Sequence, residues 1–318
     1  MLVYNGLDDP TLIRTDRVLA VGAFDGVHRG HQRLLNHICR IAHEYGVQSS
    51  VMTFEPIPAQ VFRPAGPNNV RLTIREERDR ELSKHCLDAA LVVDFDQRFR
   101  NITAVEFARD ILVERLGVIA LVASKTHSFG RNAEADVKRI TELGMEFGFE
   151  VHVLPPILVD DRRINSTEVR RQLWAGDVET SNTWLGRPYE LSGEVVEGRH
   201  VGRRLGYPTA NVQPTPEKLV PGDGVYACAA YVDDGSGELT DWVPAAVSIG
   251  PPSTFGIQER TIEAHLLADG NPDLVGRRLR LLFLARLRDV RTFHSPDALA
   301  RQIARDVEQV RAEFKEHL

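Results

Sequence analysis

Two histidines three positions apart stand among glycines in the segment GAFDGVHRGHQRLL, from Gly22 to Leu35. The segment follows a β-branched run and precedes a helical pattern, which predicts a turn between a strand and a helix. Such a turn lets the backbone approach a phosphate, and the helix start adds free N–H groups and the positive end of its dipole. Imidazoles there would donate hydrogen bonds and stabilise charge on a leaving group. The predicted phosphate site comprises Gly22, Phe24, Asp25, Gly26, His28, Gly30 and His31.

Other interpretations of the paired histidines are a surface position or half of a metal site. No carboxylate or third histidine stands at the helical spacing of HExxH, which disfavours a metal. The chain also lacks GxxxxGK[ST], so a P-loop kinase is excluded on motif grounds.

A second polar cluster, Ser166, Thr167 and Arg170, opens a predicted helix in the string INSTEVRRQL. Hydroxyls at a helix start with an arginine one turn later can form an anion pocket. The alternative is an ordinary helix cap with a solvated charge.

Candidate metal ligands stand in the string PTAN, Pro208 to Asn211. In an extended stretch, Thr209 and Asn211 face the same side and offer neutral oxygens to Mg²⁺. The same string could instead form a turn. Further along, Glu263 stands between apolar neighbours in TIEAHLL, either as a functional carboxylate or as the solvent face of a strand.

The first half of the chain alternates short apolar runs with helical patterns, which predicts an α/β fold with a parallel sheet covered on both faces. Capping boxes are predicted at Thr73 with Glu76 and at Thr103 with Glu106. The predicted strands are 18–24, 47–54, 89–95, 118–123 and 149–154, and the predicted helices are 31–45, 74–85, 105–116 and 136–147.

After Pro188, short strands separated by glycine and proline turns predict a small antiparallel β-barrel, with a hairpin tip at Asp233 to Asp241. An amphipathic helix from Pro296 to about Glu316 closes the chain. The predicted domains are therefore 1–186, α/β and Rossmann-like, and 187–318, an antiparallel barrel with a terminal helix.

Composition restricts the class of protein further. Acidic residues outnumber basic ones, 45 to 39, and the excess occurs in both halves. Neither half therefore has the excess of basic residues that is typical of nucleic-acid-binding proteins. The longest apolar run, Val225 to Val232, is too short for a bilayer, and the acidic amino terminus is unlike a signal peptide. We therefore expect a cytoplasmic protein with no membrane partner. Cys39, Cys86 and Cys228 have no CxxC spacing and are interpreted as buried or idle thiols.

The chain resembles the HxGH nucleotidylyltransferase superfamily in its first predicted strand, the Phe-Asp-Gly turn, the paired histidines and the helix that follows. The string INST resembles the second phosphate-binding motif of that superfamily, ISST. The second half resembles riboflavin kinase through LGYPTANV, PGDGVYA, SIGPPSTFG and RTIEAHLL. From Val18 to Asp306 the chain is similar to the prokaryotic bifunctional riboflavin kinase/FMN adenylyltransferase family, the FAD synthetases.

This resemblance implies ATP and Mg²⁺ at two sites, with riboflavin, FMN and FAD as the other ligands. It implies that Glu263 accepts the proton of the riboflavin 5′-hydroxyl while Thr209, Asn211 and Mg²⁺ hold phosphates. It also implies that Gly202 and Gly206 bind nucleotide phosphates. In the second reaction, the FMN phosphate would attack the α-phosphate of ATP and expel pyrophosphate across the helix start at His28 and His31.

The chain departs from the family pattern at several positions. Ile57 in TFEPIP replaces an imidazole, Thr126 and His127 stand where the family has Asn-Phe or Asp-Phe, and Ala135 replaces a glycine. We therefore expect weakened adenylyl transfer. In the second half, the departures are Val201, Ser253 and Ala268. The alternatives are a riboflavin kinase with an inactive adenylyltransferase domain, a different HxGH nucleotidylyltransferase, and a flavin sensor without turnover.

Overall fold

A computed structural model describes residues 1–62, 70–156, 158–159, 162–198, 207–233, 241–250, 260–268 and 274–317. The chain forms two compact units, Met1–Ser166 and Thr167–Leu318. This division falls earlier in the chain than the predicted border between residues 186 and 187, which stays a prediction.

The first unit is built on a six-stranded parallel sheet in the order β1-β4-β3-β2-β5-β6. Strands two to six confirm the predicted ones, with ends shifted by a few residues. The first strand was missed, because its four residues are mostly exposed and carry no apolar alternation. The strands are β1 Leu2–Asn5, β2 Arg17–Val21, β3 Gln48–Glu55, β4 Ala89–Asp94, β5 Val118–Ser124 and β6 Glu150–Leu154.

Alternating side chains of the sheet enter two separate cores, as expected for a sheet covered on both faces. Leu19 and Val21 of β2 pack in one core, together with Leu112 and Leu143 from the helices of that face. Val18 and Ala20 pack in the other core, which includes residues of the long first helix. The predicted α/β class is confirmed.

The helices of this unit are α1 Arg29–Tyr45, α2 Pro58–Phe62, α3 Arg75–Ser83, α4 Gln97–Arg100, α5 Ala104–Glu106 and α6 Val137–Phe147. The chain continues from α5 as a π-helix, Phe107–Arg115, where an α-helix was predicted. A 3₁₀ turn, Arg131–Ala133, precedes α6, and a short hairpin, β7 Leu158–Val159 with β8 Arg162–Arg163, follows β6.

One of the two predicted capping boxes is correct. At Thr103, the Glu106 carboxylate accepts the backbone N–H at 2.8 Å and the Thr103 hydroxyl accepts the Glu106 N–H at 3.2 Å. The predicted box at Thr73 is wrong by one residue, since α3 starts at Arg75 and Glu77 accepts the N–H of Ile74 at 3.2 Å. The Thr73 hydroxyl instead accepts the Gly26 N–H at 3.0 Å.

The second unit is a closed antiparallel barrel in the order β10-β13-β12-β11-β14-β9, which confirms the predicted barrel. Its strands are β9 Tyr189–Val196, β10 Ala210–Pro214, β11 Gly224–Asp233, β12 Val243–Gly250, β13 Thr261–Leu266 and β14 Arg278–Arg288. Helices α7 Ser166–Trp174 and α8 Val178–Leu185 precede the barrel, and α9 Pro296–His317 closes the chain as predicted. Most of the predicted hairpin tip lies outside the described residues.

The interpretation of all three cysteines as idle thiols is wrong for two of them. Cys39 in α1 and Cys86 before β4 form a disulfide with Cα atoms 6.0 Å apart. Their separation of 47 positions hid the pairing, because sequence distance does not reveal that α1 lies beside this loop. Cys228 is a free, buried thiol whose pKa is raised by burial.

Candidate active sites

The turn between β2 and α1 has an unusual backbone. Phe24 and Val27 have φ values of 48° and 39°, a left-handed backbone conformation that is strained for residues other than glycine. The buried Asp25 carboxylate holds the turn by accepting the backbone N–H groups of Leu72 at 2.9 Å and Thr73 at 3.1 Å. The strain is thus maintained by contacts from a distant segment, which is typical of a functional turn.

His28 caps the amino end of α1, and its Nδ1 accepts the backbone N–H of His31 at 3.3 Å. This acceptor role places the proton of the neutral ring on Nε2. The two imidazole rings stack with centroids 3.7 Å apart and an angle of 16° between their planes. A Cβ atom at Gly30 would lie 2.9 Å from the His28 Nδ1 and Cε1 atoms, so the stack requires glycine between the histidines.

Burial controls the charge of His31. Desolvation lowers its pKa from 6.5 to about 4, although the nearby Asp25 carboxylate acts in the opposite direction. Its Nδ1 atom is buried and has no hydrogen-bond partner in the described part of the chain. At neutral pH His31 therefore offers hydrogen bonds from an uncharged ring.

A cavity of about 260 Å³ lies beside this turn, at the carboxyl ends of β2, β5 and β6. The strand order reverses between β2 and β5, and ligands of open α/β sheets bind at such a reversal. Of the predicted site residues, Gly22, Phe24, His28, Gly30, His31 and Ser166 line the cavity. Sequence reasoning missed three cationic lining residues, Arg33, Lys125 and Arg163, because the sequence does not show which side chains face the cavity.

The other predicted residues of the first half lie around the cavity rather than in its lining. Asp25 and Gly26 contact the 72–73 segment, as described above. The Ser166 hydroxyl donates to the Asp25 carbonyl at 2.9 Å, within the first unit. Thr167 is exposed and Arg170 is buried in α7, and neither belongs to the described cavity lining.

Of the four departing residues in the first half, two lie at the cavity, Thr126 and His127. Thr126 lines it and accepts a hydrogen bond from Arg163 Nη2 at 2.5 Å. Ile57 is 1% exposed and does not line the described cavity. Ala135 is fully buried and its backbone pairs with Phe129, so a methyl group is accommodated there.

In the barrel, Asn211 of β10 lies directly opposite Glu263 of β13, and Glu263 lies directly opposite Ser248 of β12. Directly opposed residues project from the same face of a sheet. The neighbours of Glu263, Ile262 and Ala264, are buried, so the three polar residues form a row on the outer face of the barrel. Asn211, Ser248 and Glu263 are each partly exposed.

The loop before β10 is held against β13, since the His265 ring contacts the Pro208 carbonyl at 2.8 Å through Nδ1. Thr209 follows and is partly exposed. A Cβ atom at Gly198 would overlap the Asn211 amide, so glycine keeps that side chain in place. The predicted Gly202 and Gly206, and the departures Val201 and Ser253, lie outside the described residues, whereas Ala268 is partly exposed after β13.

The first unit thus places stacked imidazoles at a cavity where the strand order of a parallel sheet reverses, and the second unit has a polar row on the outer face of its barrel. A family model described as FAD synthetase matches residues 11–168, and one described as riboflavin kinase matches residues 185–314. The chain belongs to the family of bifunctional riboflavin kinase/FMN adenylyltransferases.

Curated relatives of that description extend over nearly the whole chain. The relative from Escherichia coli K12 is 37% identical, over 91% of this chain and 90% of its own length. The relative from Pseudomonas fluorescens is also 37% identical, over 93% of this chain and 92% of its own length. A crystal structure described as a macrolide-efflux protein from Streptococcus pneumoniae aligns with a TM-score of 0.86 at 28% identity, covering 98% of this chain and 99% of its own. In the described ranges, no helix has the length and apolar character to cross a membrane.

Proposed function

We propose that the barrel unit phosphorylates riboflavin to FMN and that the parallel-sheet unit adenylylates FMN to FAD, with ATP as the second substrate of both reactions. The observation that carries the proposal is the match of both family descriptions, one to each part of the chain. The stacked histidines at the cavity and the polar row on the barrel support it.

In adenylyl transfer, an oxygen of the FMN phosphate forms a bond to the α-phosphorus of ATP while the bond to the bridging oxygen breaks and pyrophosphate leaves. The nucleophile is already ionised, so positioning and charge stabilisation supply the catalysis. His28 and His31 would donate N–H groups to phosphate oxygens, assisted by the amino end of α1. Because burial lowers the pKa of His31 to about 4, this residue would contribute a hydrogen bond rather than a charge.

In phosphoryl transfer, the riboflavin 5′-oxygen forms a bond to the γ-phosphorus of ATP and ADP leaves. The hydroxyl must lose its proton, and Glu263 would accept it as general base. Asn211 lies directly opposite Glu263, so its amide is close enough to orient a phosphate beside the base.

The oxygen donors in the barrel fit a Mg²⁺ ion. Asn211 and Glu263 face each other across neighbouring strands, and Thr209 precedes β10. Mg²⁺ prefers such oxygen ligands together with substrate phosphates and water. When bound, the ion would neutralise negative charge that develops on the phosphates. Thr209 and Asn211 would hold it.

The proposal includes two further elements. Residues 1–186 would be the adenylyltransferase domain and 187–318 the kinase domain. A cytoplasmic location would give both sites access to ATP and riboflavin.

The decisive experiment incubates the purified full chain with riboflavin, ATP and Mg²⁺ and separates FMN from FAD by chromatography. Both products are expected, with FAD formed more slowly if the departures weaken the first half. His31→Ala should suppress FAD while FMN accumulates, and Glu263→Gln should suppress FMN while added FMN is still converted. FMN without any FAD would favour a riboflavin kinase with an inactive first half, and neither product would contradict the proposal.

A further inference from the structure

His127 follows β5 and lines the same cavity as His28 and His31. Its backbone N–H donates to the Ser124 carbonyl at 2.9 Å, which fixes the turn that carries it. The Nε2 atom is buried and has no partner within the described ranges. Leaving such an atom unpaired costs free energy, which a bound ligand can recover.

The cavity contains two kinds of polar group. Arg33, Lys125 and Arg163 supply positive charge suited to phosphates. His127, like His31, is uncharged at neutral pH, because burial lowers its pKa to about 4. A neutral imidazole has one donor and one acceptor. Because His127 lies after β5 and not at the amino end of α1, where the phosphates are placed, its ring is available to an uncharged polar edge of a substrate.

We propose that His127 is a substrate-binding residue that hydrogen-bonds, through Nε2, the neutral heterocycle of a substrate of adenylyl transfer. Adenine of ATP and the flavin ring of FMN share this chemistry. The proposal rests on the adenylyl transfer proposed above.

The test uses the full chain with three substitutions. His127→Leu and His127→Phe remove the hydrogen bond, the second while keeping an aromatic ring. His127→Gln keeps an amide close to the position of Nε2 and serves as the matched control. KM and kcat for FAD formation are measured separately against ATP and against FMN.

The Leu and Phe variants should raise one KM by about three- to tenfold, the range of one neutral hydrogen bond. The kcat should change less than about twofold, and Gln should restore KM to within about twofold of the unmodified protein. A rise for ATP assigns the contact to adenine, and a rise for FMN assigns it to the flavin. The proposal is overturned if both KM values stay within about twofold in the Phe variant, or if Gln behaves like Phe.

Calorimetric titration with ATP alone and with FMN alone separates this proposal from the proposed function. If the unmodified protein binds a substrate but makes no FAD, adenylyl transfer fails as a function, and the change in Kd on His127→Phe still decides the role of His127. Unchanged riboflavin phosphorylation and thermal unfolding would show that each variant is folded, and if the Leu variant does not fold, the Phe variant decides alone.

Discussion

Glu263 and Asn211 lie directly opposite each other on neighbouring antiparallel strands of the barrel. Buried residues flank Glu263 on both sides in its strand, so the pair is fixed in register on the outer face. A carboxylate and an amide are thereby held together by the same backbone pairing that closes the barrel.

Replacing the carboxylate tests its role as a base. Glu263→Gln should lower the rate of FMN formation by about 10²- to 10⁴-fold, because the amide does not accept the hydroxyl proton. Conversion of added FMN to FAD should be unaffected. The exposed Glu194→Gln in β9 is the matched control and should leave both rates unchanged. An unchanged rate of FMN formation in the Glu263 variant would remove it from the mechanism.

The close approach of Gly30 to the His28 ring gives a second test. Gly30→Ala places a methyl group 2.9 Å from two ring atoms, which must displace the imidazole from its stack with His31. FAD formation should fall by at least about tenfold, since misplacing one preorganised donor costs several kcal/mol of transition-state stabilisation. FMN formation from riboflavin should be unchanged in this variant, which would show that the barrel is intact. Arg29→Ala, an exposed neighbour in the same turn, should retain both activities.

Restoring the residues of the family pattern at positions 126 and 57 should have different effects. Thr126→Asn places an amide at the cavity wall, where it can keep the Arg163 contact and add a donor. We expect FAD formation to rise by about two- to tenfold, the range of one hydrogen bond. Ile57→His should instead lower the free energy of unfolding by about 1–3 kcal/mol, because the side chain is buried. A gain in FAD formation from Ile57→His alone would show that residue 57 reaches the substrate.

The pH dependence of stability follows from the buried imidazoles. The pKa values of His31 and His127 are lowered to about 4 in the folded chain, against about 6.5 when unfolded. Between these values the unfolded chain binds more protons, so the free energy of unfolding should fall as pH drops from 6.5 to 4. His127→Phe should make this loss smaller in denaturant titrations at pH 7 and pH 5. An equal loss in the Phe variant would show that residue 127 does not contribute.

The position of the domain border can be tested with two fragments. Asn182 in α8 donates to the Phe283 carbonyl at 2.8 Å and accepts the Tyr189 N–H at 2.8 Å, while Trp184 and Leu185 are buried. Fragment 167–318 keeps these contacts, and fragment 187–318 loses them. The shorter fragment should be less stable by about 3 kcal/mol or more, from lost apolar burial alone. Equal stability of the two would support the border at residue 187.

Periodicity and motif chemistry were sufficient to predict five of the six parallel strands, the barrel and the paired histidines, because these features depend on local spacing. Contacts between distant segments were not predictable. The sequence does not show that Asp25 accepts the N–H groups of Leu72 and Thr73, or that Cys39 pairs with Cys86. Lys125 and His127, which follow β5, were not predicted to line the cavity for the same reason, since only the folded sheet brings them beside α1.

Strand β1 is short and mostly exposed, yet it pairs along β4 from Leu2 opposite Ala89 to Asn5 opposite Val92. Without it, the apolar strand β4 would present free N–H and C=O groups along one edge, the kind of edge through which chains aggregate. Residues Leu2–Asn5 therefore cover an edge of the sheet that would otherwise be open to pairing with another chain. Deleting these four residues would favour self-association through β4.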